Sequence, residues 1–265
     1  MAIITISREA FSGGEELARA VADHLGYPCV SRDSNLAAAA AAYGVPAHEL
    51  QTAMERPPSF WERLVGDRTA YLTVVGATLC RQAQHGNLVY HGHLGHLLLP
   101  GITHVIGIRV VADQPTRLAA ARASGPIDAS ALAQIDRKQR QWVRFLFDVD
   151  WEDPRLYDLV VNLSNVQLST ACDLVTRMAI SPEFQPTADS ERAFRDLCVA
   201  SDVRALLAQH PDTKELSLGV EAADGVVTIT GTSASEGIET ALASALRQLH
   251  GVSEVRWKIA VVPTP

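Results

Sequence analysis

Ile3-Ile4-Thr5-Ile6-Ser7-Arg8-Glu9-Ala10-Phe11-Ser12-Gly13-Gly14-Glu15-Glu16-Leu17 is the stretch on which the reading of the fold turns. Ile3 to Ile6 is a short β-branched run suited to a buried strand, and from Gly13 to Leu25 the apolar residues Leu17, Val21 and Leu25 share one helical face. Between them lies a turn with two glycines. A strand that feeds a helix through such a turn is where an α/β protein binds phosphate, because the helix N-terminus leaves N–H groups unpaired and glycines let an anion approach them. The full loop, GxxxxGK[ST], adds a lysine for the β/γ-phosphates and a hydroxyl for magnesium. Here Glu15 and Glu16 stand in those places. Two carboxylates suit the first turn of a helix dipole yet oppose a bound polyphosphate. On the motif alone, a phosphate loop and a tight strand-to-helix turn both stay open.

Outward from this stretch the same rhythm repeats. Strands are expected at Leu88–His91, Val105–Val111 and Leu159–Val161. Helices are expected at Asn35–Tyr43, from about Phe60 to Gln84, and at Thr116–Ala123, Ala129–Phe147 and Leu168–Met178. Alternation of strand and helix calls for crossover connections, hence a parallel sheet with helices on both faces over residues 1–180. Residues 181–192 carry two prolines among polar neighbours and read as a linker. Residues 193–265 then change pace. A helix at Arg192–Gln209 is followed by alternating runs, Leu216–Glu221 and Val226–Thr230, around Ala223-Asp224-Gly225. Asp-Gly between two such runs signals a hairpin. A helix at Glu236–Leu249 and a strand at Val255–Val262 complete an αββαβ order, a small α+β module.

The chain of 265 residues has room for two unequal domains, and 47% hydrophobic with 20% charged residues exclude a disordered or collagen-like polymer. A formal charge of −7 argues against a general electrostatic grip on nucleic acid. No apolar run reaches the roughly 18 to 20 residues that span a bilayer. The apolar run Ala2–Ile6 is too short for a secretory signal, so a cytoplasmic protein is expected. Cys29, Cys80, Cys172 and Cys198 form no CxxC pair and read as buried small hydrophobes.

Three histidines, His91, His93 and His96, lie in Tyr90-His-Gly-His-Leu-Gly-His, at the carboxyl end of an expected parallel strand. Open α/β sheets place ligands at that edge. Metal binding, acid–base or phosphate chemistry, and hydrogen bonding across a tight turn are the three readings.

The stretch Ile4–Pro28, ITISREAFSGGEELARAVADHLGYP, resembles the start of the cytidylate kinase-like family of P-loop nucleoside monophosphate kinases. A second segment, Ile135-Asp-Arg-Lys-Gln-Arg140 followed by Asp150-Trp-Glu-Asp-Pro-Arg-Leu-Tyr-Asp-Leu-Val-Val-Asn162, is similar to that family's lid and last core strand. The resemblance implies a P-loop kinase-like sheet and ATP- and magnesium-dependent phosphotransfer to a nucleotide or other phosphorylated small molecule. It implies that Ser12, Gly13 and Gly14 cradle phosphate and that Arg137 and Arg140 stabilise the moving phosphoryl group. It also implies that Arg117 and Arg122 serve as basic residues after the fourth strand. Arg32, Asp33 and His91 fall on the acceptor side, and His93 stands where the family has an arginine. No residue is assigned to a metal. Phe11 replaces a family glycine, Glu15 a basic residue, and the family's Gly-Arg pair is lost. The phosphate loop is thus degenerate, and a catalytically inactive nucleotide- or anion-sensing protein is the alternative.

Residues 193–265 resemble the BON domain in Val220-Glu-Ala-Ala-Asp-Gly-Val-Val-Thr-Ile-Thr-Gly-Thr232 and His250-Gly-Val-Ser-Glu-Val255. The resemblance implies a ligand or interaction module. Membrane contact, which some BON domains make, is disfavoured by the low basic content.

Overall fold

Strand β1 (Ile3–Arg8) runs through the middle of a five-stranded sheet, hydrogen-bonded on one side to β3 (Leu88–Gly92) and on the other to β4 (Val105–Val111). The edges are β2 (Cys29–Ser31) beside β3 and β5 (Leu159–Asn162) beside β4, giving the order β2-β3-β1-β4-β5 with every pairing parallel. The computed structural model describes residues 1–44, 68–92, 95–214, 216, 218–233 and 237–261.

Alternation along β1 sends Ile4 and Ile6 to one face of the sheet. There they meet Leu17, Ala18, Val21 and Ala22 of α1 (Gly14–Leu25) and Ala171, Val175 and Ala179 of α7 (Leu168–Ile180). Each fully buried branched side chain of this cluster contributes about 1.5–3 kcal/mol. Helix α2 (Arg32–Tyr43) begins directly at the end of β2, three residues earlier than its alanine run announces. The cause is a capping box: the Ser31 side chain accepts from Ser34 N–H, and the Ser34 side chain accepts from Ser31 N–H. Among the described residues the remaining α-helices of this part are the short α4 (Gly95–Leu98), α5 (Gln114–Ser124) and α6 (Ala129–Phe147). Asp113 and Asp128 cap the latter two.

The chain divides into two compact units, and the division is not a single cut. The first unit comprises Met1–Arg68 and His85–Pro186; the second comprises Thr69–Gln84 and Thr187–Pro265. Helix α3 (Arg68–Ala83) therefore lies, apart from its first residue, in the second unit, although its sequence is embedded in the first. Every residue from Thr73 to Cys80 is buried, as in a helix enclosed on all sides. The expected helix from Phe60 falls partly outside the described residues.

In the second unit α8 (Ala188–Gln209) leads into the antiparallel pair β6 (Gly219–Ala223) and β7 (Val226–Ser233), followed by α9 (Ile238–Arg247) and β8 (Glu254–Val261), which runs parallel to β7. The hairpin turn has positive φ at Asp224 (50°) and Gly225 (79°), the backbone that an Asp-Gly pair favours. Val203 and Leu207 of α8 and Leu242 and Leu246 of α9 pack on Val220, Val227 and Ile229. Strand β6 starts later than expected because Leu216 N–H turns back to the Thr213 carbonyl. The cysteines differ in environment: Cys80 and Cys172 are buried, Cys198 is half-buried, and Cys29 is exposed on the edge strand β2. Among the described residues no helix is long and apolar enough to cross a membrane.

Candidate functional site

At the carboxyl ends of β1, β2 and β3 the first unit opens a polar cleft of about 190 Å³. Each strand brings a residue to it: Arg8 from the end of β1, Ser31 from β2, His91 and Gly92 from β3. Helix α1 adds Glu15 and Arg19 from its first turns, α2 adds Arg32 and Asp33, and α6 adds Gln139. The close approach is built in. A Cβ on Gly92 would lie 2.8 Å from Arg32 Cβ, and one on Gly14 would lie 2.6 Å from Arg8 Cβ, so both positions require glycine.

Three guanidinium groups face two carboxylates here, which leaves a surplus of positive charge. Glu15 is shared: Arg19 donates to it at 2.6 Å, and Arg8 reaches it at 3.5 Å. Arg32 is bridged to Asp33 at 2.9 Å. Arg8 keeps its Nε buried without a partner. Burial lowers its pKa, the nearby Arg32 charge adds to that, and Glu15 opposes it. His91 likewise holds a buried Nδ1 with no partner, and its pKa is depressed first by burial and then by Arg8. The imidazole is therefore neutral at neutral pH and can accept a hydrogen bond or a proton.

The turn between β1 and α1 is held from below by a second ionic group. Glu9 accepts from Ala112 N–H at 3.3 Å and lies 3.5 Å from Arg109 and 3.6 Å from Arg117. Arg117, buried on α5, donates through Nε to the Ala10 carbonyl at 2.8 Å and forms a bidentate pair with Asp136 of α6. Arg109 donates to the Trp151 carbonyl and stacks over the Trp151 ring at 4.6 Å. Tyr157 Oη donates to the same carbonyl at 2.8 Å, and the Asp158 carboxylate accepts from Gly107 N–H at 2.7 Å. Thus the Asp150–Asn162 segment fastens the sheet edge.

In the turn itself Ser12 is buried and donates its hydroxyl to the Glu9 carbonyl at 2.9 Å. Phe11 has φ +60°, a left-handed backbone that costs a non-glycine residue about 1–2 kcal/mol. Gly13 (φ 84°) caps α1 without a side-chain bond, so the first-turn N–H groups point from the turn with no cap side chain across them.

The residues expected from sequence are thus distributed in distinct ways. Arg32, Asp33 and His91 come together in the cleft. Ser12, Gly13 and Gly14 form the adjoining turn, and Arg117 lies beneath it. Arg122, Arg137 and Arg140 are exposed, and Arg140 is bridged to Glu152 at 2.6 Å, which raises its pKa. His93 lies outside the described residues. Sequence reasoning missed Arg8, Arg19 and Gln139 as cleft residues. Arg8 was open to recognition as the last residue of a central parallel strand, and Arg19 as the i+4 partner of Glu15. Gln139 carries no comparable signal. His96 is separate from the cleft residues: both ring nitrogens are buried without partners, the ring meets Tyr157 edge-on, and burial pushes its pKa down to about 4. Among the described residues no group of three histidine, cysteine or acidic side chains is arranged to hold a metal ion.

Residues 3–165 match the model of the cytidylate kinase-like family, and residues 196–263 match that of the BON domain. A cytidylate kinase of Ignicoccus hospitalis is 27% identical over 183 residues, covering 68% of this chain and all of that protein. Among solved structures, an uncharacterized protein from Eubacterium ventriosum is similar with a TM-score of 0.49 and 19% identity, over 68% of this chain and 99% of that one. TT1252 from Thermus thermophilus gives a TM-score of 0.41 and 18% identity, over 68% of this chain and 98% of that one.

Proposed function

The chain belongs to the cytidylate kinase-like family, and from that premise we propose that its first unit binds ATP with magnesium and transfers the γ-phosphoryl group to a nucleotide or other phosphorylated small molecule. The observation that carries this reading is the convergence of Arg8, Arg19 and Arg32 with the unpartnered Nδ1 of His91 at the strand ends. Guanidinium groups are the side chains best matched to phosphate oxygens, and they stabilise charge without moving a proton.

In this reading the first-turn N–H groups of Gly14 and its neighbours, with Ser12 shaping the turn, receive one phosphate. Arg8 and Arg19 take a second phosphate once it displaces the Glu15 carboxylate, and Arg32 with His91 holds the acceptor. Gln139 brings α6 to the cleft; Arg137 and Arg140 on the same helix close over the transferred group, Arg140 exchanging Glu152 for phosphate. Arg122 and His93 complete the proposed basic and acceptor-side set. The polar lining and the orphaned Arg8 Nε fit a phosphorylated ligand. Magnesium is held mainly by substrate phosphates and water and needs only one or two carboxylates; Glu15 and Asp33 are those of the cleft. Its contribution is to neutralise phosphate charge during transfer.

A second reading is favoured by one specific observation: the Glu15 carboxylate already occupies the place between Arg8 and Arg19 that a phosphate would take. A domain arranged so would sense a nucleotide or anion without turning it over, with the BON-like unit as its output. Calorimetric titration with ATP, with and without magnesium, followed by assay of labelled γ-phosphate transfer to CMP and other monophosphates, separates the two. Magnesium-dependent binding with transfer supports the kinase. Binding without transfer to any acceptor supports the sensor, and no binding at millimolar ATP defeats the kinase and an ATP sensor alike.

A further inference from the structure

Strand β8 is an outer strand of the second unit's sheet, and every residue from Glu254 to Val261 pairs with β7 on one side. Its other side is unpaired among the described residues. An edge of that length is a template for another strand, and proteins that stay apart blunt it with a proline, a bulge or a charge turned inward. Strand β8 has none of these. Glu254-Val-Arg-Trp-Lys-Ile-Ala-Val261 contains no proline, its pairing with β7 skips no residue, and its core-facing row is Val255, Trp257 and Ile259. That row is only half-buried, whereas Val227 and Ile229, which pair with Val255 and Trp257, are 0% exposed. The apolar layer thus runs out to an open edge. The opposite edge of the sheet differs: Arg204 of α8 donates to the Val220 carbonyl of β6 at 2.6 Å.

We propose that β8 is an interaction surface for a second copy of this chain, the two β8 strands pairing antiparallel about a two-fold axis at Arg256. Such pairing sets residues opposite one another symmetrically about the central residue, and the charges decide which residue that is. Glu254, Arg256 and Lys258 are exposed on the same face of the strand. Centred on Lys258 the pairing opposes that lysine to itself, and centred on Trp257 it opposes Arg256 to Lys258. Centred on Val255 it overlaps little of β8. Centred on Arg256 it sets the Glu254 carboxylate of each copy opposite the Lys258 ammonium of the other. The same register sets each Trp257 ring opposite Val255 of the other copy, and aromatic with β-branched pairs are favoured across strands. Arg256 meets its own counterpart, but each guanidinium is already bridged to its own Glu254 at 2.7 Å. The result is one six-stranded sheet in which the half-buried row gains cover from its counterpart. Each copy uses up its β8 edge, so assembly through this surface stops at two.

The test is sedimentation of the full-length protein over a concentration series, in the parent and in two charge reversals. The parent should reach twice the 28.6 kDa mass of one chain. Glu254→Lys and Lys258→Glu each place like charges opposite one another twice in the dimer, and each should raise the dissociation constant about tenfold or more. Both side chains are exposed, so circular dichroism should show the fold unchanged. An equimolar mixture of the two variants restores opposite charges at both places and should associate as the parent does. A merely local role for Glu254 or Lys258 would give no such recovery. A parent that stays monomeric at every concentration, a dimer that neither reversal weakens, or a mixture that fails to recover would each overturn the proposal.

Discussion

Two groups of arginines lie on either side of the β1–α1 turn and serve opposite ends. Below it, Arg109 and Arg117 are enclosed, and their guanidinium groups are bound to protein: the Ala10 and Trp151 carbonyls, Glu9 and Asp136. Above it, Arg8 retains an unpartnered Nε and shares one carboxylate with Arg19 in an open cleft. The lower group gives the turn its shape; the upper group is left short of partners, which is what the proposed phosphate site requires. A charged residue next to a phosphate-binding turn is therefore not a ligand contact by position alone. What separates the two groups is whether the fold has already supplied the acceptors.

This contrast can be broken most forcefully at Arg117. Arg117→Ala leaves Asp136 and Glu9 facing a buried void and should cost about 3–5 kcal/mol, read as a lowered urea midpoint. A loss below about 1 kcal/mol would mean that the lower group does not hold the turn. The next largest effect concerns a buried group short of partners away from the cleft, His96. In the unfolded chain its ring takes up a proton near pH 6.5, in the fold only near pH 4, so the unfolded chain binds more protons between those values. Stability is complete above that window and should fall by about 3 kcal/mol as pH drops through it. His96→Phe, which keeps the ring, should flatten the dependence; an unchanged slope in the variant would assign the acid sensitivity to other groups.

At Arg8 the expected effect moves from stability to binding. Arg8→Ala should change the unfolding midpoint little, since its ion pair with Glu15 is long, at 3.5 Å, and removing the side chain also removes a buried Nε that has no partner. It should weaken ATP or phosphate binding by about tenfold to a hundredfold, the loss of one charged hydrogen-bond partner. Equal binding by variant and parent would empty the upper group of its role. The smallest expected change is at Glu15. Glu15→Gln removes the carboxylate that competes for Arg8 and Arg19 and should tighten anion binding several-fold, about 1 kcal/mol. Weaker binding in the variant would show instead that Glu15 holds the arginines in place for the ligand.

The parallel sheet was legible because its evidence is local. Ile3 to Ile6 and Val105 to Val111 carry the composition of buried strands, and the glycine turn after Arg8 fixes where the carboxyl edge lies. The same reasoning placed Arg32, Asp33 and His91 near one another, since all three follow or end strands of that sheet. The division of labour among the arginines was not legible. Arg117 sits in a helix whose pattern looks solvent-facing, and only the arrival of Glu9, Ala10 and Asp136 from other segments encloses it. The allegiance of α3 was hidden for a different reason. A helix buried from Thr73 to Cys80 has no polar face to mark which neighbour it belongs with.

That α3 belongs with residues beyond Thr187 also bears on how the protein is made. The ribosome releases α3 early, but helix α8 follows only after roughly a hundred further residues, some 5–20 s at ordinary elongation rates. Throughout that interval a nascent chain presents a helix whose Thr73–Cys80 stretch is buried in the finished fold, with the rest of its unit still unsynthesised. Until the rest of that unit emerges, the stretch lacks its cover and is a surface on which a chaperone has reason to wait.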